Sequence, residues 1–380
     1  MLKTLERFRE VNNTFPDNEI LRGAKSQGKK VIGWLCTYLP EELLHAGGCL
    51  PIRITGYQQE RELTTGDAYL RINTCSFSRS CLQILFDYGN NFIDGLVGGS
   101  TCDGARRLFD QWSMYLKDSS FGHFITIPRK YTERSHQLYY KQIVNFKEHL
   151  EEYLGKQITD EDLVKSIHLY NESRELLRKI YQLRKSDNPA IAGSELVELS
   201  LAGFRMPKEL FNEYARNLLA ELETSNRKLS GRVRLMLVGS ILTNSQFVRS
   251  IEEVDALVVA DELCSTTRYW SDPVVLDGTP PLQALAKRYL NNFPCARMVP
   301  LDERFDRIIQ YIKEFKVDGV ISQTIRYCVP YAHDLPLLIE RLKEINVPVL
   351  SLDVEYGSSG SGQIRTRVQA FAEMLEGKKK

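Results

Sequence analysis

Two sets of short apolar strands, each interleaved with helices, bracket a block of long amphipathic helices. That alternation limits the possible folds more than any other feature of the chain. The first set is "KKVIGWLCTYLP" (29–40), "CLPIRITG" (49–56), "NFIDGLVGGS" (91–100) and "FGHFITIPR" (121–129). The second is "RVRLMLVGS" (232–240), "VDALVVADE" (254–262), "KVDGVISQT" (316–324) and "NVPVLSLDVEYG" (346–357). Between them lie helical segments such as "PEELLHAGG", where Pro40 suits a first turn and Gly47–Gly48 a stop. Strands alternating with helices predict a parallel α/β sheet in each set.

The middle reads differently. "YYKQIVNFKEHLEEYLGKQ", "DEDLVKSIHLYNESRELLRKIYQLR" and "PKELFNEYARNLLAELE" carry apolar residues at helical spacing. Asp160 and Asn188 fall where caps or turns belong. Residues 1–28 also read as helical, with Leu2, Leu5, Phe8 and Val11 on one face. The expected architecture is α/β, with two Rossmann-like, flavodoxin-like parallel-sheet domains. An N-terminal helical segment covers 1–28, a first α/β domain 29–130, a helical insert or hinge 131–228, and a second α/β domain 229–380. "NFIDGLVGGSTCD" and "KVDGVISQTIRYC" echo each other as strand, short loop and cysteine. Two similar halves would each place that cysteine at a strand's carboxyl end, where ligands of such sheets gather.

Charge narrows the function classes. Fifty basic and 49 acidic residues leave a formal charge of +1, which gives no electrostatic footprint for nucleic acid or an anionic membrane. The tail "GKKK" reads as a solvated end. The N-terminus is charged and periodic, unlike a signal peptide, and no segment reaches the roughly 20 apolar residues of a membrane helix. A cytoplasmic protein is expected. Its eight cysteines are then expected as buried small residues, metal ligands or reactive thiols rather than disulfides.

Three cysteines stand out. Cys102 precedes the helix "CDGARRLFDQWSMYL", and Cys328 precedes "VPYAHDLPLL"; both sit in strand-to-helix loops near a positive helix end. Cys75 opens the segment "INTCSFSRSCLQILFDYG", six residues before Cys81 and so on a different face. A helix N-terminus favours thiolate. Three thiolates from two domains could clamp a soft metal centre, and iron–sulfur clusters take cysteine thiolates. Against this, no CxxC, ferredoxin-type CxxCxxC or HExxH spacing is present. The alternative is that each thiol is separately buried, as free cysteine often is. Cys49 reads as core filler, and Cys295 has no evident role.

Read in order, "KKVIGWLCTYLPEELLHAGGCLPIRITG", "INTCSFSRS", "GSTCDGARRLFDQW", "VADELCSTTRYW" and "RYCVPYAHDLPLL" resemble the 2-hydroxyacyl-CoA dehydratase family. That family includes the ATP-dependent benzoyl-CoA reductase subunits. The likeness runs from about Lys29 to "SGQIRTRVQAFAEML". It implies an enzyme subunit, either a dehydratase (lyase) or a benzoyl-CoA reductase-like oxidoreductase. It also implies a 4Fe–4S cluster on Cys75, Cys102 and Cys328, and pairing with a related cluster-bearing subunit or with a second copy. A separate activator ATPase would donate one low-potential electron to an acyl-CoA thioester, whose ketyl radical anion can expel the hydroxyl from the neighbouring carbon. In the reductase branch the electrons enter an aromatic ring. The absence of GxxxxGK[ST] here agrees with ATP use by another polypeptide. Cys36, Cys81 and Cys264 lie near the same motifs. With the first three they would complete the six ligands of the family's double-cubane (8Fe–9S) members, which act on small molecules. A non-catalytic partner subunit is a further alternative.

Other candidates carry weaker signals. The loop "YGSSGSGQIRTR" (356–367), with Arg365 and Arg367, could hold an anion at a helix start or be a plain connection. Arg106 and Arg107 could meet an anionic thioester or form surface ion pairs. Thr37, Glu41 and His45 are the polar groups of the first motif that the resemblance would turn toward substrate, although a lone histidine such as His45 or His333 is more often structural. Trp34, Trp112 and Trp270 read as core or interface aromatics.

Overall fold

The computed structural model describes residues 2–116, 120–358 and 362–379. Both predicted sheets are present and all eight expected strands form. In the first sheet these are β1 (Val31–Trp34), β2 (Leu50–Arg53), β3 (Gly95–Gly99) and β4 (Phe121–Ile125). In the second they are β5 (Val233–Gly239), β6 (Ala256–Glu262), β7 (Gly319–Ile325) and β8 (Val349–Val354). Every pairing is parallel. The spatial orders are β2-β1-β3-β4 and β6-β5-β7-β8, the same topology twice. The two segments that echo each other in sequence become β3 and β7, which occupy equivalent places.

Every residue of β1, β2, β3, β5, β6 and β7 is buried, as helices packed on both faces of a parallel sheet require. Only the edge strands β4 and β8 are partly open. In each sheet the chain steps from its first strand to one side and then crosses to the other. The gaps between the carboxyl ends of β1 and β3, and of β5 and β7, are therefore topological switch points, where a crevice opens. Gly239 ends β5 at such a point, with φ +127°. A β-carbon there would overlap the carbonyl of Gln323 on β7.

The helical middle forms as expected in helices Glu133–Leu154, Asp160–Gln182 and Lys208–Thr224. A fourth, Gly193–Ala202, is buried at all ten positions. It shows no amphipathic stripe because no face meets water. Helix Asp160–Gln182 packs on Glu41–Ala46 from the first half and on Thr267–Trp270 and Pro281–Leu290 from the second. One apolar core thus runs from Trp34 and Val97 through the helices to Val238 and Trp270.

Two local expectations are corrected. The cap of the 160–182 helix is Thr159, not Asp160. Thr159 and Asp162 form a reciprocal capping box, leaving Asp160 in the first turn. The N-terminal segment is two helices, Lys3–Asn13 and Glu19–Ser26, rather than one. Pro16 lies in the break, and Asn18 caps the second helix by accepting from Leu21 N–H at 2.9 Å. Asn188 does lie in a turn, its N–H held by Ser186 Oγ at 3.3 Å.

Two measurements test these packing arguments. Gly239→Ala should destabilise the fold by about 2–4 kcal/mol, because both the backbone conformation and the space exclude a β-carbon. Gly155→Ala, at φ +61° with nothing within 4 Å, should cost only about 1 kcal/mol in the same denaturant titration. The second concerns His123 on β4, whose Nδ1 lies 3.0 Å from His149 Nδ1 on the 133–154 helix. Burial, then the neighbouring His149, lowers the His123 pKa from 6.5 to about 4. The unfolded chain therefore binds the proton more readily, and stability should fall as pH drops from about 6.5 to about 4. His123→Phe should flatten that part of the stability–pH curve.

Candidate functional site

Parallel strands put their strand-to-helix loops on one edge, and the structure places the singled-out cysteines there. Cys102 is the N-cap of helix Asp103–Tyr115 after β3, and its Sγ accepts from Ala105 N–H at 3.4 Å. Cys328 is the N-cap of helix Val329–Lys343 after β7. The residue before it, Tyr327, sits at φ +67°, a conformation uncommon for residues that carry a side chain. Cys75 is the N-cap of helix Ser76–Phe92, with Ser78 Oγ 3.4 Å from its Sγ. All three line one cavity of about 420 Å³.

The two sheet edges are tied to each other across this region. Arg53, at the end of β2, is almost fully buried between the Trp34 and Phe204 rings at 5.1 and 4.8 Å. It donates to the Cys264 carbonyl at 2.6 Å and to Cys264 Sγ at 3.2 Å, beyond the end of β6. Arg297 donates to the carbonyls of Ser100, Thr101, Ile127 and Pro128 at 2.9–3.2 Å. It thereby fixes the loop that carries Cys102. Behind Cys328, Arg304 joins Glu262 at 2.8 Å and Asp334 at 2.5 Å, all three buried. Asp334 lines the cavity, and its second oxygen has no hydrogen-bond partner. The cavity also presents Arg107, Arg129 and Arg297 against Asp103 and Asp334, a balance suited to an anionic ligand.

The expected lowering of thiol pKa at helix ends is overturned for two of these cysteines. Burial, then the charge of Cys75, raises Cys102 far above a free thiol. The same two causes push Cys328 up to about 12. Desolvation outweighs the helix end and the Ala105 N–H.

The remaining cysteines do not line the cavity. Cys81 is fully buried, its thiol 3.8 Å from the Ile54 carbonyl. Burial, then Cys264, raises the Cys36 pKa. Cys49 is core filler as expected, pushed up to about 12 by burial. Cys295 differs from Cys36 and Cys49 in the direction of its shift. Burial would raise its thiol, but Arg268, then the Arg297 backbone N–H, more than offset this and lower it.

Thr37, Glu41 and His45 do not line the cavity either. Thr37 is buried. Glu41 is sequestered with Tyr269 and with Lys208, 3.8 Å away. His45 is engaged by Ser166 at 3.0 Å and Glu209 at 3.2 Å. Arg107 and His333 do line the cavity, with Arg107 held by Asp103 at 2.7 Å, whereas Arg106 does not. Arg365 pairs with Glu253 at 4.0 Å and Arg367 donates to the Ser351 carbonyl at 2.7 Å. Residues 359–361 of the Gly/Ser loop lie outside the described residues. Trp34, Trp112 and Trp270 are buried core aromatics. Arg297 and Asp334 escaped sequence reasoning because nothing in "CARMVP" or "AHDLP" marks a side chain that will turn toward a distant loop.

Residues 36–375 match the family described as 2-hydroxyglutaryl-CoA dehydratase, D-component. The chain belongs to that family. Among its relatives is a benzoyl-CoA reductase subunit of Thauera aromatica, 27% identical over 92% of this chain and 91% of the relative. The (R)-2-hydroxyglutaryl-CoA dehydratase beta subunit of Acidaminococcus fermentans is 25% identical over 98% of each chain. The (R)-phenyllactyl-CoA dehydratase beta subunit of Clostridium sporogenes is 24% identical over 95% of this chain and 96% of the relative. All three names denote subunits of dehydratases or reductases of acyl-CoA compounds. This member of the dehydratase family has, among its described residues, no helix long and apolar enough to cross a membrane. Nor do its described residues group three His, Cys, Asp or Glu side chains tightly enough to grip a single metal ion.

Arg297 provides the test of this geometry. Replacing it with Met would leave four loop carbonyls without their donor, at about 1–3 kcal/mol. Amide hydrogen exchange should rise at residues 99–103 and 126–129. Exchange unchanged at both loops would show that the guanidinium does not hold them.

Proposed function

We propose that this chain is the cluster-bearing subunit of a 2-hydroxyacyl-CoA dehydratase or benzoyl-CoA reductase type enzyme. In this reading Cys75, Cys102 and Cys328 hold a 4Fe–4S cluster. The observation that carries it is the meeting of three thiols, from three distant stretches of sequence, at the N-caps of three helices around one cavity. The thiol-rich donor set is the kind iron–sulfur clusters take. The three helix ends add positive partial charge beside what would be an anionic assembly.

A cluster bound there would supply low-potential one-electron transfer to an acyl-CoA thioester. The chain's own residues have separate tasks. The thiolates hold the cluster, and Arg297 keeps the Cys102 loop in place. Arg107 and Arg129 attract and orient an anionic substrate. Asp334, with its unpartnered oxygen, Asp103 and His333 are side chains at the cavity able to accept or deliver a proton. The electron donor is a separate activator ATPase, and the partner is a related subunit. A cytoplasmic location fits this chemistry.

Anaerobic purification tests the proposal. The protein should be brown and hold about four irons per chain. Cys102→Ser should lose most of that iron while its far-ultraviolet dichroism stays unchanged. Full iron retention would remove Cys102 from the ligand set. About eight irons per chain, falling on replacement of Cys36 or Cys264, would instead favour the six-cysteine double cubane. A colourless protein that takes up no iron on anaerobic reconstitution would end both.

A further inference from the structure

A second cavity, of about 480 Å³, lies away from the cysteines, and at its base is a charge with no counter-charge. Arg205 is 1% exposed. Its guanidinium lies 4.1 Å from the centre of the Phe15 ring. Nη1 donates to the Asn12 carbonyl at 3.1 Å, Nη2 donates to Thr55 Oγ1 at 2.9 Å, and Nε has no partner. Among the described residues no carboxylate lies within ion-pair distance of it. A buried charge is ordinarily paired, so an isolated guanidinium at the wall of a cavity calls for an anion.

The cavity already contains a stand-in. With the Gln58 amide turned so that its oxygen faces Arg205, that oxygen accepts from Nη1 at 3.1 Å and from Nη2 at 3.3 Å. A neutral amide oxygen thus occupies the bridging position that an oxyanion would take in the fork of an arginine. Gln58 is only half-buried and lines the cavity, so it can swing aside. Arg61, stacked on Tyr57 at 4.1 Å, adds a second cation to the lining, and Asn13 and Gln59 add neutral amide donors; Glu60 is the one carboxylate there. Burial lowers the Arg205 pKa to about 9, which leaves it charged at neutral pH.

We propose that this cavity is a binding site for a phosphate group, with Arg205 as its anchor and Gln58 as the side chain the phosphate displaces. A phosphate is favoured over a carboxylate because two arginines and several amide donors face the same space, more than one carboxylate can satisfy. The proposal does not rest on the cluster reading, since none of the cavity's residues is a cysteine, and either can fail alone.

The test is titration calorimetry of the full-length protein, prepared anaerobically, with inorganic phosphate, AMP and acetate as separate probes. Saturable binding of phosphate or AMP, with acetate weaker, is expected. Tighter binding of AMP than of phosphate identifies an ester as the ligand, and equal binding identifies the free ion. Gln58→Glu places a tethered carboxylate against Arg205. It should raise the melting temperature without added anion and weaken phosphate binding on the order of tenfold or more. Arg205→Gln should abolish binding, and because that variant could fail to fold, Gln58→Glu is the decisive one. Failure of both phosphate and AMP to bind, acetate binding as tightly as phosphate, or phosphate binding unaffected by Gln58→Glu would each overturn the assignment.

Discussion

Parallel strand pairing is the constraint from which the rest of this structure follows. When every strand of a sheet runs the same way, every strand-to-helix loop falls on one edge, and each helix that follows begins there. Cys102 and Cys328 come together from 226 positions apart in sequence because both follow the third strand of a β2-β1-β3-β4 type sheet. Helices that start at such loops point their N-termini at the shared space. The chemistry of the site is therefore a property of the edge before it is a property of any residue.

Sheet edges alone would leave two separate sites. What joins them is a set of buried arginines that reach from one half to the loops of the other. Arg53 leaves β2 to bind the chain after β6, and Arg297 leaves the second half to gather four carbonyls of the first. Arginine suits this role because its planar fork can satisfy several carbonyls while staying charged under burial. Each such contact is also fragile: removing the donor leaves several buried carbonyls unsatisfied at once. The charge on Arg304 is different in kind, since Glu262 and Asp334 neutralise it. Arg205, like Arg53 and Arg297, has no carboxylate partner among the described residues; what sets it apart is that it lines a cavity with its Nε unpartnered.

The sheets were legible because six of the eight strands are buried on both faces and read as short apolar segments, alternating with helical ones. The helices of the middle were legible where one face meets water. Gly193–Ala202 was not, because complete burial erases the period on which such reading depends. Of the site, Cys102 and Cys328 could be read from strand–loop–cysteine–helix order, Cys75 only from its place before a helical segment, and their likeness to one family joined the three. Arg297, Asp334 and Arg205 could not be read. Their importance lies in which distant carbonyl, carboxylate or void they face, and local sequence carries no mark of that. Glu41 and His45 illustrate the converse: polar residues inside a suggestive motif that the packing turns into the helical layer.

The electrostatics of the three cysteines also changes how a helix terminus should be weighed. A terminal dipole amounts to a partial charge and acts within one turn. Burial of a thiolate acts on the whole ionic charge, and a second thiolate nearby adds repulsion of the same sign. For Cys102 and Cys328 the latter two prevail. The helix ends by themselves therefore do not make these sulfurs nucleophilic at neutral pH, and an alkylating reagent should find them poor targets. On the proposed reading their deprotonation is coupled to the arrival of iron, whose positive charge reverses the repulsion among the sulfurs. Cys295 is the instructive exception within the same protein. It is as deeply set as the others, yet Arg268 supplies a full cation rather than a dipole, and its thiol moves the other way.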